Sequence, residues 1–202
     1  MTNHFSAAYE DCETSSLINL IKDRRTIRKF EEGNLPSALL YKLLQESAEL
    51  TIGPDSETPF RFILAVTAEE KNLAASIIMK TYAELAIYKW VPGKIRGFMA
   101  DRIEKIPAIG ITVLKKGKDS EAYDQNFALT SAAVHNFSLL LWEQNIGMVW
   151  GTGDVLHYPS FTKGLQLQED EEVHSMVYIG KYLKKPKAKA RTEVAKKLTK
   201  LT

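Results

Sequence analysis

Apolar residues recur at helical spacing along much of this chain. Between residues 38 and 50, Leu39, Leu40, Leu43 and Leu44 return every three or four positions, as they do on one face of a helix. The same criterion predicts helices over residues 17–23, 38–50, 68–89, 95–105 and 121–144. The last of these is the longest. It is apolar nearly all round from residue 127 to 142, which indicates a helix buried on most sides.

Shorter apolar or alternating runs between these helices predict strands. They cover residues 60–67, 107–114, 148–151 and 174–179. Three residues mark expected boundaries: Ser37 caps the second helix, Gly147 terminates the longest helix, and Gly180 ends the last strand. Because helices outweigh strands and the strands are far apart in sequence, we expect an α+β or three-layer mixed domain.

The predicted domain organisation is simple. Residues 1–14 are polar and form a flexible N-terminal lead, residues 15–192 form one domain, and residues 193–202 form a basic C-terminal extension. With 202 residues, 45% hydrophobic and 26% charged, the composition is ordinary for a globular protein and allows a full core. Cys12 is the single cysteine, which excludes an internal disulfide and a cysteine metal cluster.

Metal binding and membrane association are not expected. The four histidines, His4, His135, His157 and His174, lack metal-ligand spacing. Since His135 lies within the long apolar helix, we expect it to be a core or interface residue. No run approaches 18 apolar residues, and the first 16 residues lack the apolar segment of a signal peptide. We therefore expect a cytoplasmic protein.

The net charge of +2 conceals an asymmetry. Residues 181–202 carry nine lysines and arginines and one glutamate, a charge of +8, which leaves −6 on the rest of the chain. A basic tail of this kind can contact nucleic acid or an anionic cofactor, or it can be a solvated arm. Nucleic-acid binding is disfavoured because Tyr182 is the only aromatic residue in the tail.

A second basic stretch, Arg-Arg-Thr-Ile-Arg-Lys-Phe, occupies residues 24–30 and follows the first predicted helix. On an extended chain, Arg24, Thr26 and Arg28 share one side. Guanidinium groups suit phosphate oxygens, so this side fits a phosphate together with a polarised ring. The alternative is a solvated basic turn after a helix.

Four segments together resemble the flavin-dependent nitroreductase family, over residues 17–191. Residues 24–30 are similar to the family's RRSxRxF opening, with threonine in place of serine. Residues 51–62, which end in TPFRF, resemble an alanine-proline loop followed by (Q/E)PWRF. Residues 147–153, GMVWGTG, resemble the family's GLGxxW segment, and residues 180–192 resemble its closing GY…P…KxR segment.

This resemblance implies a three-layer α+β fold with a central antiparallel-rich sheet flanked by helices. It also implies a homodimer, with the long buried helix in the dimer core and FMN at each of two interface sites. NADH or NADPH would reduce the flavin in a ping-pong reaction. Hydride would then pass through flavin N5 to a nitroaromatic, a quinone or a similar electrophile. Because the cofactor performs the redox chemistry, no side chain is assigned as a catalytic acid or base.

The resemblance further implies roles for the basic residues. Arg24, Thr26 and Arg191 would bind the FMN phosphate, with Lys189 as a further candidate. Arg25 would reach the ribityl–phosphate region or the pyrimidine edge. Arg28 would lie near flavin N1 and O2, where a fixed guanidinium stabilises the negative charge of the reduced ring.

Two other segments would complete the flavin site. Trp150, Gly151, Thr152 and Gly153 would border the isoalloxazine edge, where glycines permit close approach and backbone N–H groups can hydrogen-bond N5. The loop of residues 51–58 would come from the partner subunit and cover the pyrimidine.

This loop departs from the family pattern, because Thr51-Ile52 replaces Ala-Pro and Gly53-Pro54-Asp55 replaces the usual side-chain donors. Asp55 is our candidate for a cofactor contact from the loop. The departure also leaves open a non-enzymatic flavin-binding or sensor module on the same scaffold.

Overall fold

The computed structural model describes residues 16–54 and 56–188. Its helices are α1 (Ser16–Asp23), α2 (Ser37–Glu49), α3 (Ala68–Tyr82), α4 (Gly93–Glu104), α5 (Ser120–Glu143) and α6 (Pro159–Gly164). Its strands are β1 (Phe60–Ala65), β2 (Ala108–Lys115), β3 (Ile146–Gly151) and β4 (Glu171–Lys181). Two short 3₁₀ helices cover Ala86–Trp90 and Asp154–His157. The predicted lead of residues 1–14 and the extension of residues 193–202 lie outside the described residues.

The four strands form one sheet in the order β1-β2-β4-β3, and every neighbouring pair is antiparallel. Strand β2 is buried over its first seven residues because helices cover both faces of the sheet. On one face, apolar residues of α2 and α5 pack together with β3 and β4. On the other face, the apolar residues come from α3, α4 and α6. The predicted three-layer α+β fold with an antiparallel sheet is therefore confirmed.

Three predicted boundary roles are wrong. Ser37 is the first residue of α2, and Pro36 takes the extended capping position in front of it. The chain reverses after α5 at Asn145, whose φ of 56° lies in the left-handed region that asparagine tolerates better than most residues. Gly147 consequently lies inside β3, and β4 continues through Gly180 to Lys181.

The helix predicted for residues 68–89 is shorter than expected. It begins with a capping box, in which Thr67 and Glu70 each accept a backbone hydrogen bond from the other. It ends at Tyr82, next to the buried Thr81, whose hydroxyl donates to the carbonyl of Ile77 at 2.8 Å and accepts from Ser160 at 3.0 Å. After a break the chain forms the first 3₁₀ helix, and the ring of Tyr88 stacks on that of Tyr82.

Helix α5 packs its core-facing side against the sheet and α2, and it leaves another side uncovered within the chain. The uncovered side carries Phe127, Ala128, Ala132 and His135. The interpretation of His135 as a core residue is therefore wrong, whereas its role as an interface residue remains a prediction. Across the described residues, no helix is both long and apolar enough to cross a bilayer.

Candidate flavin site

The arginine-rich segment of residues 24–30 lies beside β3, the strand at one edge of the sheet. Thr26 forms a parallel bridge with Met148, and the Ile27 amide donates to the Met148 carbonyl at 3.0 Å. The chain then crosses to the neighbouring strand, where the Glu31 amide donates to the Lys181 carbonyl at 2.9 Å. The segment is therefore held by backbone hydrogen bonds to both β3 and β4.

Two glycines make room for this crossing. Gly147 and Gly180 are paired across β3 and β4. A Cβ atom on Gly147 would lie 2.2 Å from Cγ1 of Ile27, and one on Gly180 would lie 2.8 Å from Cδ1 of Phe30. Ile27 is only 2% exposed. The apolar residues of the segment thus pack directly on the glycine pair and fix the backbone that carries the arginines.

The side chains of the segment differ in their surroundings. Arg25 folds back on the end of α1, and its Nη1 donates to the carbonyls of Lys22 at 2.6 Å and Arg24 at 2.9 Å. Its Nε is buried and has no hydrogen-bond partner among the described residues. Arg28 is exposed. The segment therefore offers one guanidinium with an unused buried donor and a second one open to a ligand.

The other predicted flavin-contacting segment continues the same strand. Trp150 and Gly151 end β3, and both are exposed together with Thr152 and Gly153. A Cβ atom on Gly153 would meet no atom within 4 Å, and one on Gly151 would meet only the Met176 carbonyl oxygen at 3.7 Å. Trp150 is two residues beyond Met148, the partner of Thr26, which corresponds to about 7 Å along a strand. The structure therefore brings the two predicted segments together at β3, one bonded to its Met148 and the other at its end.

The chain after β4 is held against the end of α5. The ring of Tyr182 stacks on Trp142 with centroids 5.2 Å apart and planes 5° apart. Lys185 lies over the same Trp142 ring and forms an ion pair with Asp23, which lowers the pKa of that carboxyl group. Lys189 and Arg191 lie outside the described residues, so their phosphate roles remain predictions.

The loop that begins at residue 51 is anchored to the long helix. The amide of Asn136 donates to the hydroxyl of Thr51 at 3.0 Å, and that hydroxyl donates to the Ser47 carbonyl at 2.6 Å. A threonine held by two side-chain hydrogen bonds thus stands where the family pattern has alanine. Asp55 lies outside the described residues, so the structure does not test its predicted contact.

His174 is a feature of this region that its sequence context did not reveal. It is 6% exposed, although it neighbours the predicted flavin-contacting segment through the ring of Trp150, 5.8 Å away. Burial lowers its pKa, and the charge of Glu172 opposes this effect. A lone histidine in an apolar strand gives no ligand spacing, so only the three-dimensional structure identifies it.

Comparison with known proteins shows the family and the fold of this chain. The model of the Nitroreductase family matches residues 21–181. A Bacillus subtilis (strain 168) protein named "Putative NAD(P)H nitroreductase YfhC" is 28% identical over 191 residues, which cover 93% of this chain and 95% of that protein.

Two solved structures share the fold. One is a nitroreductase-like family protein from Bacillus cereus, with a TM-score of 0.83, 24% identity and coverage of 100% of this chain and 98% of that chain. The other is an FMN-dependent nitroreductase from Clostridium difficile R20291, with a TM-score of 0.63, 20% identity and coverage of 91% and 98%. With four fifths of its length matched by the family model, the chain belongs to the nitroreductase family.

Proposed function

We propose that this protein is an FMN-dependent oxidoreductase that takes electrons from NADH or NADPH and delivers them to a nitroaromatic, a quinone or a similar electrophile. The observation that carries the proposal is the position of the arginine-rich segment. Its backbone is bonded to β3 at Met148, and the same strand ends at the exposed Trp150 and Gly151. The segment that carries the cationic donors is therefore bonded to the same strand that ends in the open glycine edge.

The described residues fit FMN in two respects. The buried Nε of Arg25 has no partner among them, and a ligand oxygen would supply one. The space beside Gly153 is open, so a planar ring can approach the backbone there. Bound FMN would accept a hydride equivalent from the nicotinamide and pass reducing equivalents to the acceptor.

The chain's own residues would bind and polarise this cofactor. Arg24 and Thr26 would hold the phosphate, together with Lys189 and Arg191, because guanidinium and hydroxyl donors match its oxygens. Arg25 would donate its unused Nε to the ribityl–phosphate region or the pyrimidine edge.

Two further groups would act on the flavin ring. Arg28 would place a fixed positive charge near N1 and O2, which favours the reduced form. The backbone amides of the Gly151–Gly153 stretch would face the ring edge, and Asp55 would contact the cofactor from the partner subunit.

A homodimer is part of the proposal. Phe127 is 45% exposed on α5, and Ala128, Ala132 and His135 are exposed along the same helix. Positions four and three apart form one helical face, so these residues offer a stripe that a second copy can cover. Ala132→Glu should give a monomer in sedimentation velocity, whereas Glu121→Lys, on the exposed first turn of α5, should leave the dimer intact. A dimer that survives Ala132→Glu would contradict this assignment.

The direct test is an absorbance spectrum from 300 to 550 nm, recorded before and after anaerobic addition of NADH or NADPH. We expect flavin bands that one of the nucleotides bleaches, and reoxidation of the flavin by a nitroaromatic or a quinone. A colourless protein that takes up no FMN would refute the proposal. Bound FMN that neither nucleotide reduces would favour the non-enzymatic flavin-binding or sensor module, to which the altered loop after Thr51 also points.

Single substitutions separate the roles of the arginines. Arg24→Ala should weaken FMN binding about tenfold or more, because it removes a charge-assisted hydrogen bond. Arg28→Ala should slow reduction by the nicotinamide more than it weakens FMN binding. Lys29→Ala removes the same charge from an exposed neighbour and serves as the matched control. Equal effects of Arg28→Ala and Lys29→Ala would show that only net charge matters.

A further inference from the structure

A β-bulge in β4 determines where His174 points. Thr112 of β2 pairs with Ser175, whereas the next residue, Val113, pairs with Val173. His174 is therefore the extra residue of the bulge. Bulges redirect side chains and are frequent beside functional sites. Here the bulge turns a histidine toward α5 and toward the end of β3.

Both ring nitrogens of His174 meet hydroxyl groups. Nε2 lies 3.0 Å from Oγ of Ser131 on α5, and Nδ1 lies 3.1 Å from Oγ of Ser175 on β4. A hydroxyl can donate or accept, so either neutral tautomer satisfies both nitrogens. The imidazole also contacts the rings of Phe127 at 4.8 Å and Trp150 at 5.8 Å between centroids. The ring is thus held at two edges and packed between two aromatic side chains.

An apolar side chain would fill this buried position without any need for partners. A fully satisfied polar group instead fixes one orientation of the groups around it. The neighbouring group whose orientation is fixed in this way is the ring of Trp150. This residue immediately precedes Gly151, Thr152 and Gly153. An indole held in one rotamer limits the positions open to the Cα of Trp150, and with it the backbone that follows.

We propose that His174 is a positioning residue of the flavin site, which fixes the ring of Trp150 and thereby the backbone from Gly151 to Gly153. This inference rests on the proposed function, since it is FMN that this backbone would border. His174 would touch neither cofactor nor substrate and would act through Trp150 alone.

The surroundings of His174 predict a spectroscopic signature. Burial keeps the imidazole neutral to lower pH than usual, because it lowers the pKa. The charged group that acts on it is Glu172 of β4, and Tyr123 of α5 donates to that carboxylate at 2.5 Å. Strand β3 contributes no titratable side chain. Protonation would place a charge beside the indole of Trp150, so the indole should report the titration.

The first test uses the full-length protein without added flavin, labelled with 5-fluorotryptophan. Its three tryptophans give three fluorine resonances, and Trp150→Phe identifies that of Trp150. We expect this resonance to shift on acidification in the wild type and in Tyr123→Phe, which keeps the imidazole. In His174→Gln and His174→Leu, the Trp150 resonance should no longer shift on acidification. A Trp150 resonance that titrates equally in all variants would overturn the coupling.

The second test adds FMN to the same variants. His174→Gln keeps a donor and an acceptor for the two serines, whereas His174→Leu leaves both hydroxyls without a partner at similar volume. We expect His174→Leu to weaken FMN binding or slow its reduction roughly tenfold, and His174→Gln to restore most of the loss. If His174→Leu, His174→Gln and the wild type had the same FMN affinity and the same rate of FMN reduction, the positioning role would be refuted. If the wild type binds no FMN, the proposed function fails, whereas the fluorine spectra still decide whether His174 controls Trp150.

Discussion

Gly147→Ala tests whether the glycine pair holds the arginine-rich segment. The added Cβ would lie 2.2 Å from Cγ1 and 2.7 Å from Cβ of Ile27, and 3.1 Å from Cδ1 of Tyr182. Carbon atoms in contact normally lie about 3.5–4.0 Å apart, so Ile27 must move by more than roughly 1 Å. Ile27 is 2% exposed and its amide is bonded to Met148, so its backbone must move with it.

The magnitude follows from two opposing effects. Overpacking of a buried site costs about 1–3 kcal/mol. Replacing glycine by alanine in a strand recovers about 0.5–1 kcal/mol of conformational entropy, and Gly147 is not among the residues with positive φ. Because the 2.2 Å approach to Ile27 favours the upper half of the overpacking range, we expect Gly147→Ala to lower the free energy of unfolding by about 1–2.5 kcal/mol. We also expect FMN affinity to fall, because the displaced backbone carries Arg24 and Arg28.

Urea unfolding measures the stability of each variant, and an unchanged m-value shows that the comparison is valid. A titration measures its FMN affinity. Gly97→Ala is the matched control, because a Cβ there meets no atom within 4 Å and the residue lies in α4. It should stabilise the protein by up to about 1 kcal/mol. Ile27→Ala removes the closest clashing atom, so Gly147→Ala should cost less in that background. A fully stable Gly147→Ala variant with unchanged FMN affinity, or strictly additive effects with Ile27→Ala, would refute the reasoning.

Two further predictions concern the scaffold. Glu171 accepts both hydrogen bonds of the Arg61 guanidinium, at 2.6 and 2.8 Å, and this contact lowers its pKa from 4.5 to about 2. A carboxylate with a depressed folded pKa contributes stability above its unfolded pKa and loses it as the pH falls. The stability difference between wild type and Glu171→Gln should therefore be largest above pH 4.5 and shrink toward about pH 2, in urea unfolding curves across that range. A stability difference between wild type and Glu171→Gln that does not change with pH would contradict the role of the ion pair. Thr67→Ala removes one half of the capping box of α3 and should lower the free energy of unfolding by about 0.5–2 kcal/mol in the same assay; a change below that range would show that Glu70 alone suffices.

The family and the layer architecture could be predicted from the sequence because they depend on order along the chain. Helical and alternating periodicities report which residues face a core, and the four segments keep their order whatever the tertiary contacts are. The helix predicted for residues 68–89 shows the limit of this information. Its apolar periodicity continues past Tyr82, but the buried hydroxyl of Thr81 and the stacking of Tyr82 on Tyr88 depend on contacts that the local pattern does not contain.

Pairing between distant strands explains the remaining differences. Gly147 and Gly180 each lie at the end of an apolar run, so each one considered alone resembles a residue that ends a helix or a strand. Their function becomes visible only when β3 and β4 are aligned and the two glycines face each other. His174 depends in the same way on the bulge opposite Thr112 and Val113, which is a property of the pairing and not of either strand.

The arginine-rich segment therefore contains two interleaved sets of residues with separate tasks. Ile27 and Phe30 pack on Gly147 and Gly180, one apolar residue for each of two neighbouring strands. Strands lie about 4.8 Å apart, and a spacing of three residues lets the chain cross from one to the other. The backbone that carries the basic residues between and before them is thereby fixed relative to β3. A segment with the same charges but without this apolar pair would be a solvated basic turn. What distinguishes the proposed cofactor site from a basic turn is therefore the packing of its apolar residues, and this packing requires both glycines.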